Sequence, residues 1–423
     1  MSASSTAGDS AIDIANEEIW ITNYAGGNRR NIYNLVTGFD VFSSIENNTL
    51  SADFYISDGT DLMNTFPLGG EEFIEFTAQT PGRASRSFKL FVDKIEGINA
   101  APNSMTQTYV LRCVTEDWHK NSYKLITKRY MDKDYDVSLN ECITQDLGGK
   151  APQCDVTKGK FDYVVNRRRP FQIVDLIKER AVHPKHKSSL YVFFEDFEGY
   201  KFACLEELIL QGAKYNFSYD ISNRASNYNE AVNFRNILTL EQMPTNSSVD
   251  KVTRGAVRNQ VRQFDILYGD YWEMAEYDGS GMWKDYAQMP GDNSPQDHNS
   301  SAFMGSATET PGVSTMVFKD SMRPEMEHNK SLHYLRAFED RFVSNGYRIR
   351  VYGDTSIMAG ESVDLAVPVI TGTTEEPEQQ EVRSGVYLIR DLRWICEKTS
   401  DGLFSHFCVL DVRKPHIRKK SIG

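Results

Sequence analysis

Two places in the chain combine side chains whose types and spacing could do chemistry. The first is His183-Pro184-Lys185-His186, the close pair among 8 histidines. Two imidazoles can ligate a divalent cation, but Pro184 rules out the helical i, i+4 face, and no acidic or Cys ligand stands at a supporting spacing. The segment therefore reads as a solvated basic turn, and no metal site is expected. The second place is Glu195 and Glu198, beside Tyr191, Phe193 and Phe197. Two facing carboxylates are what glycoside hydrolysis requires. Both flank a hairpin turn, however, where acidic residues also serve solubility.

The other histidines, His119, His298, His328, His333, His406 and His416, are scattered, with no GxSxG nucleophile context. Neither GxGxxG nor GxxxxGK occurs, so no glycine-rich phosphate cradle is present. Asn47-Asn48-Thr49 fits a glycosylation acceptor but lacks a secretory signal to give it meaning. Cys113, Cys142, Cys154, Cys204, Cys396 and Cys408 form no CxxC pair. They read as buried free thiols of a reducing compartment, with Cys142–Cys154 or Cys396–Cys408 as the alternative disulfides. No catalytic, cofactor-binding or metal-ligating residue is predicted, and no cofactor.

The elements that would position these residues centre on Arg167–Leu208. Pro170 suits the first turn of a helix, and Ile173, Leu176 and Ile177 follow at helical spacing. Tyr191–Phe194 and Tyr200–Ala203 are aromatic and β-branched, with Glu195–Gly199 as the hairpin turn between them. This helix-plus-hairpin stands between two β-rich regions.

Before it, a β domain is expected over 15–116, closing on strands at Ser87–Ile95 and Thr106–Thr115, after a flexible N-terminus at 1–14. An α+β insert domain follows over 117–205. A second β domain is discontinuous, 206–245 and 340–412, around an inserted peripheral domain at 246–339; a basic tail ends the chain at 413–423. Within the second β domain, Tyr347–Val351 alternates cleanly. Asn246–Asn259 reads as a polar crossover or edge loop, Leu332–Val343 as a helix, and Pro290–Pro311 as a long Gly/Asp/Asn/Ser/Pro loop.

A net charge of −12 argues against general binding to DNA phosphates. No run approaches the roughly 20 apolar residues that span a bilayer, so no membrane insertion is expected. Residues 1–10 lack the basic and apolar regions of a signal peptide, which points to synthesis and folding in a cytoplasm. Aromatic residues make up 12%, favouring a β-rich chain.

The order of pieces carries a resemblance. A β domain leads to an insert ending in Arg169-Pro170-Phe171 and the Phe193-Phe194-Glu195-Asp196 … Gly199-Tyr200-Lys201-Phe202 hairpin. A second β domain then returns through Tyr347–Val351, Gly353-Asp354-Thr355, Ala359-Gly360-Glu361 and Ser384–Ile389. This resembles the baseplate hub proteins of contractile-tailed bacteriophages and, more distantly, the N-terminal part of type VI secretion spike proteins. The resemblance covers roughly Ile19–Val412.

It implies a β-rich α+β fold: two tail-tube-like β-barrel domains, an α+β insert and a further inserted peripheral domain. It also implies a homotrimer whose six barrels adapt a six-fold tail tube protein to a three-fold central tail spike protein, beside other baseplate proteins. Sheet edges paired between copies would close such a ring. The tape measure protein and then DNA, only as passing cargo, would cross the lumen. The place implied is the baseplate of the virion tail, assembled in the host bacterial cytoplasm, with a structural and not an enzymatic role. The 279–311 loop and the basic tail match nothing in that pattern. The alternatives are a cell-wall glycosidase using Glu195 or Glu198 and a monomeric carbohydrate-binding β module.

Overall fold

The computed structural model describes residues 11–23, 27–66, 68–100, 106–219, 235–243, 252–265, 269, 271–278, 289, 295–296, 313–319, 327–367, 383–415 and 417–418. Of the expected flexible N-terminus at 1–14, residues 1–10 lie outside these residues, as do most of the 279–311 loop and the end of the basic tail. Residues 11–14 correct that expectation, because they open a strand with Ile12 and Ile14 buried in the core.

Period-two alternation builds the first region, as in Ser51–Asp58, where Ala52, Phe54 and Ile56 turn inward. Its strands are β1 (Ala11–Asn23), β2 (Arg29–Asn31), β3 (Val36–Ser44), β4 (Ser51–Asp58), β5 (Glu72–Gln79), β6 (Ser85–Ala100) and β7 (Gln107–Thr115), with a short helix α1 (Leu62–Thr65). The insert holds α2 (Glu116–Tyr123), β8 (Ile126–Tyr130), α3 (Tyr135–Glu141), β9 (Gln153–Cys154), β10 (Tyr163–Arg168), α4 (Pro170–Arg180), β11 (Tyr191–Glu195), β12 (Tyr200–Cys204) and α5 (Leu205–Leu210). A π-helical turn, Cys142–Leu147, extends α3. The rest comprises β13 (Tyr215–Ser218), β14 (Ile237–Gln242), β15 (Arg258–Asp265), β16 (Tyr271–Asp278), β17 (Pro295–Gln296), β18 (Val313–Lys319), α6 (Leu332–Ser344), β19 (Gly346–Tyr352), β20 (Ser362–Ala366), β21 (Gly385–Lys398), β22 (Phe404–Arg413) and β23 (Ile417–Arg418).

One sheet of 13 strands carries both β regions, in the order β13-β20-β21-β3-β4-β7-β6-β5-β1-β22-β19-β14, with β2 on β1. Because β21 also pairs with β22, a circuit closes through β21, β3, β4, β7, β6, β5, β1 and β22. Its last link is short, Ala11 to Ser405 and Ile12 to Phe404. A second circuit runs through β13, β20, β21, β22, β19 and β14, and a Ser218–Asn236 bridge joins its two ends. The circuits share the β21–β22 hairpin. Asp391–Glu397 of β21 pairs with β3, and Gly385–Leu388 pairs with β20.

The first circuit is filled by aromatic rings. Phe39, Phe54 and Phe76 lie 5.4–5.6 Å apart between centroids, and Phe88 stacks on Phe76 at 4.9 Å. Circuits of about eight strands are just wide enough for side chains to fill. This one is a packed core and not a pore. The second circuit uses Val351, Val363, Leu365, Ile349, Tyr347 and Tyr387, continuous with the first core.

The helices read at Pro170–Ala181 and Leu332–Val343 form as α4 and α6. The Asn246–Asn259 loop reading needs correction at its end. Arg258 and Asn259 begin β15 and are buried, and Asn259 Nδ2 donates to Gly255 O and His333 O at 2.8 and 3.0 Å. A polar side chain satisfied inside the fold looks like loop composition in sequence. β8 and β10, a two-stranded ribbon of mixed polar residues, carry too weak an alternation to be read.

Candidate functional site: the joint between insert and barrels

The hairpin singled out in the sequence folds around one carboxylate. Asp196 Oδ1 accepts the backbone N–H of Glu198 (2.8 Å) and Gly199 (3.0 Å), while Oδ2 pairs with Lys201 Nζ at 2.5 Å. Gly199 takes φ 144°, which a side chain would resist. The turn so fixed projects Phe197 onto the barrels. Its ring lies 4.7 Å from Trp394 of β21 and 5.6 Å from Phe88 of β6, with the Arg86 guanidinium 5.8 Å above it.

Glu195 fastens the same hairpin to the β3–β4 turn. Its carboxylate accepts Leu50 N–H at 3.2 Å, and its backbone oxygen accepts Ser43 Oγ at 3.3 Å. Burial pushes its carboxyl up to about 7, against the pull of the Leu50 N–H. Glu198 stays exposed and pairs with Arg86 at 3.3 Å. Both glutamates line a cavity of about 400 Å³ together with Asp117, Tyr200, Arg86 and Lys150. The structure thus brings the two candidate residues of the glycosidase alternative to one cavity. The contacts they make there are those of a joint: each carboxylate holds a group of the first circuit.

The Gly353–Glu361 loop closes the joint from the second circuit. Thr80 N donates to Thr355 Oγ1 and Thr355 N to Thr80 Oγ1, at 3.2 and 3.3 Å. Thr355 Oγ1 also donates to Ala84 O at 2.6 Å, and Arg86 Nε reaches Thr355 O at 3.1 Å. Gly360 has φ +82°, and a Cβ there would meet Phe194 Cζ at 2.7 Å. So Phe193-Phe194-Glu195-Asp196 and Ala359-Gly360-Glu361, far apart in sequence, meet at this glycine.

Behind the clasp, His406 is fully buried, with Nδ1 3.2 Å from Thr80 Oγ1 and Nε2 3.7 Å from Cys408 Sγ. Burial alone lowers its pKa to about 3, so the ring is neutral. A Cβ on Gly353 would fall 2.0 Å from this ring. All six cysteines are free, and burial pushes the Cys142 and Cys408 thiols up to about 12.

His183-Pro184-Lys185-His186 departs from the solvated reading. His183 is buried, its ring stacks on His186 at 4.5 Å, and Glu207 of α5 faces both. The carboxylate comes from the far side of the β11–β12 hairpin, which is why local spacing hid it. Thr80, Ser43 and Thr355 were likewise invisible as joint residues, since only the folded loops make them partners. Gly360 alone carried a signal, as the glycine of a turn.

The fold described is shared by solved tail proteins. The chain superposes on the tail protein from Neisseria meningitidis MC58 with a TM-score of 0.55, 9% identity, and coverage of 94% of this chain and 96% of that one. For the 43 kDa tail protein of prophage MuSo2 from Shewanella oneidensis the TM-score is 0.53, at 11% identity, covering 94% and 98%. In sequence it is 22% identical over 403 residues to the probable baseplate hub protein gp334 of Vibrio phage KVP40, spanning 87% of this chain and 88% of that protein. No protein-family model matches. The expected likeness to baseplate hub proteins and the β-rich α+β class both stand on these findings.

Proposed function

We propose that this protein is the structural baseplate hub of a phage contractile tail. The single observation that carries the reading is architectural: one chain holds two closed strand circuits sharing the β21–β22 hairpin, with the insert clamped across them. The likeness to a probable hub protein over most of the chain points the same way. We assign the first tube-like barrel to 15–116 completed by the shared hairpin, the insert to 117–205, the second barrel to 206–245 with 340–412, and the peripheral domain to 246–339.

In this reading three copies form a ring of six barrels between a six-fold tail tube and a three-fold spike. Each barrel is filled with side chains, so tape measure protein and DNA pass through the lumen of the ring and not through a barrel. The net charge of −12 suits a wall on which DNA does not stick. Both circuits consume their own sheet edges, so contacts between copies fall to side-chain faces and to strand edges outside the circuits, the ribbon β8–β10 among them. Val164 of that ribbon is exposed, as are Tyr123 at the end of α2 and Leu125 in the link from α2 to β8. The protein resides in the virion tail, assembled in the host cytoplasm, and Glu195 and Glu198 serve the joint and not hydrolysis.

Mass measurement in solution, alone and with the spike protein, tests this. The expected species is a trimer, three times 48.2 kDa, in at least the mixed sample. A strict monomer in both samples overturns it. Peptidoglycan hydrolysis lost in a Glu195→Gln/Glu198→Gln double variant would replace it with the glycosidase reading.

A further inference from the structure

We propose that His183, His186 and Glu207 form a binding site for a divalent transition-metal cation of the zinc class, clamping the loop before β11 to α5. This inference does not depend on the hub reading. The loop is built to hold the two rings still. Ser189 Oγ accepts His183 N–H at 3.0 Å and donates to His186 O at 3.1 Å, and Lys158 N–H reaches Val182 O at 2.7 Å. The imidazoles then stack with 4.5 Å between centroids and 24° between planes, presenting both Nε2 atoms toward α5.

The donor geometry fits an ion. His186 Nε2 lies 2.9 Å and His183 Nε2 3.8 Å from Glu207 Oε1, and one donor atom from each residue falls within 4.8 Å of the others. Ligands on a tetrahedral ion with bonds of about 2.0–2.1 Å stand about 3.3 Å apart, between the two observed separations. An outer carboxylate is also in place. Buried Glu206 accepts from Ser188 N at 3.0 Å and from Ser188 Oγ, and its Oε2 lies 3.5 Å from His186 Nδ1. A carboxylate on the far ring nitrogen is the usual partner of a metal-bound histidine, because it fixes the proton there and frees Nε2 as a lone pair. His186 Nε2 lies at hydrogen-bond distance, 2.9 Å, from Glu207; ligation through Nε2 would place the ring proton on Nδ1, toward Glu206, and put the cation where that hydrogen bond's proton would lie.

His183 makes one adjustment. Its Nδ1 accepts the N–H groups of Lys185 and His186 at 3.3 and 3.2 Å, so ligation through Nε2 moves the ring proton to Nδ1 and opens both contacts. Two imidazoles and one carboxylate select zinc, cobalt or nickel over magnesium or calcium. The Glu207 side chain is 37% exposed, which leaves water access to the fourth position. Since α5 leads into Lys214, whose N–H bonds Ser362 O at 2.8 Å, a bound ion would stiffen the link between insert and second circuit.

The test uses the full chain, stripped of metal with a chelator, and zinc chloride as the probe. Calorimetry should show one zinc per chain, with thermal unfolding raised by about 3 °C or more at saturation, and no such rise with magnesium. His186→Ala should abolish binding, and Glu206→Gln should weaken it about 10-fold through the outer contact alone. Cys154→Ser should leave it intact, and cobalt should give a tetrahedral spectrum without thiolate charge transfer. Absence of saturable one-to-one zinc binding to the wild-type chain overturns the site. So does binding that survives His186→Ala or is lost in Cys154→Ser.

Discussion

The barrel core around His406 and the joint around Glu195 each hold an ionisable group that the fold keeps from charging, by different means. His406 is sealed among Trp394, Thr80 and Cys408, and its partners belong to the sheet and the clasp that abuts it. Glu195 lies between separate parts of the chain, its acceptor role filled by Leu50 on another turn. The core is therefore a matter of filling volume, and the joint a matter of matching polar groups across pieces. Breaking the first should unfold the molecule, whereas breaking the second should loosen one piece against another.

The largest expected effect is in the core. Trp394, fully buried on the shared hairpin, touches Phe88, Phe197 and His406, so Trp394→Ala should cost about 3–5 kcal/mol and lower the unfolding midpoint of both circuits together. Loss confined to one circuit would refute the shared core.

The pH dependence should have opposite signs in the two regions. The His406 pKa falls from the ordinary 6.5 to about 3. Its contribution is therefore complete above pH 6.5 and is lost as pH falls toward 3, at about 1.4 kcal/mol per unit. Between pH 6.5 and pH 4 denaturant unfolding should register a loss of about 3 kcal/mol. A variant with glutamine at this position should flatten that limb.

Glu195 behaves inversely. Its pKa rises from 4.5 to about 7, so its contribution is complete below pH 4.5 and is lost as pH climbs through 7. Glu195→Gln, which keeps an acceptor for Leu50 N–H, should gain about 2 kcal/mol at pH 8 and little at pH 5. An equal gain at both values would show that the carboxylate is charged throughout. The smallest effect belongs to the exposed partner: Glu198→Gln, which breaks an ion pair with Arg86, should change stability by less than about 1 kcal/mol in thermal unfolding.

What was legible in the sequence divides along the same line. Strands whose alternation fills a core, such as Tyr347–Val351 and Ser51–Ile56, announce themselves, and so do α4 and α6. The hairpin was legible too, because Asp196 and Gly199 determine its turn locally. What Glu195 does was not, since its partner lies 145 residues away. Solubility alone accounts for an acidic turn, and burial of such a residue leaves no mark on its neighbours in sequence. The same holds for Glu207, which meets His183 and His186 only after β11 and β12 fold back, and for the Thr80–Thr355 exchange. Periodicity reports which face a residue takes but never whom it meets.

The pairing of Ile12 with Phe404 has a consequence for the order in which the molecule is made. Chains emerge from the ribosome N-terminus first, and their domains generally fold as they appear. Here the first barrel lacks its final two staves until β21 and β22 have been synthesised, long after β7 has emerged. Until then β1 and β3 wait as open strands, and contacts this distant in sequence form slowly. The interval in which the nascent protein is most exposed to misassembly therefore lasts until the β21–β22 hairpin arrives.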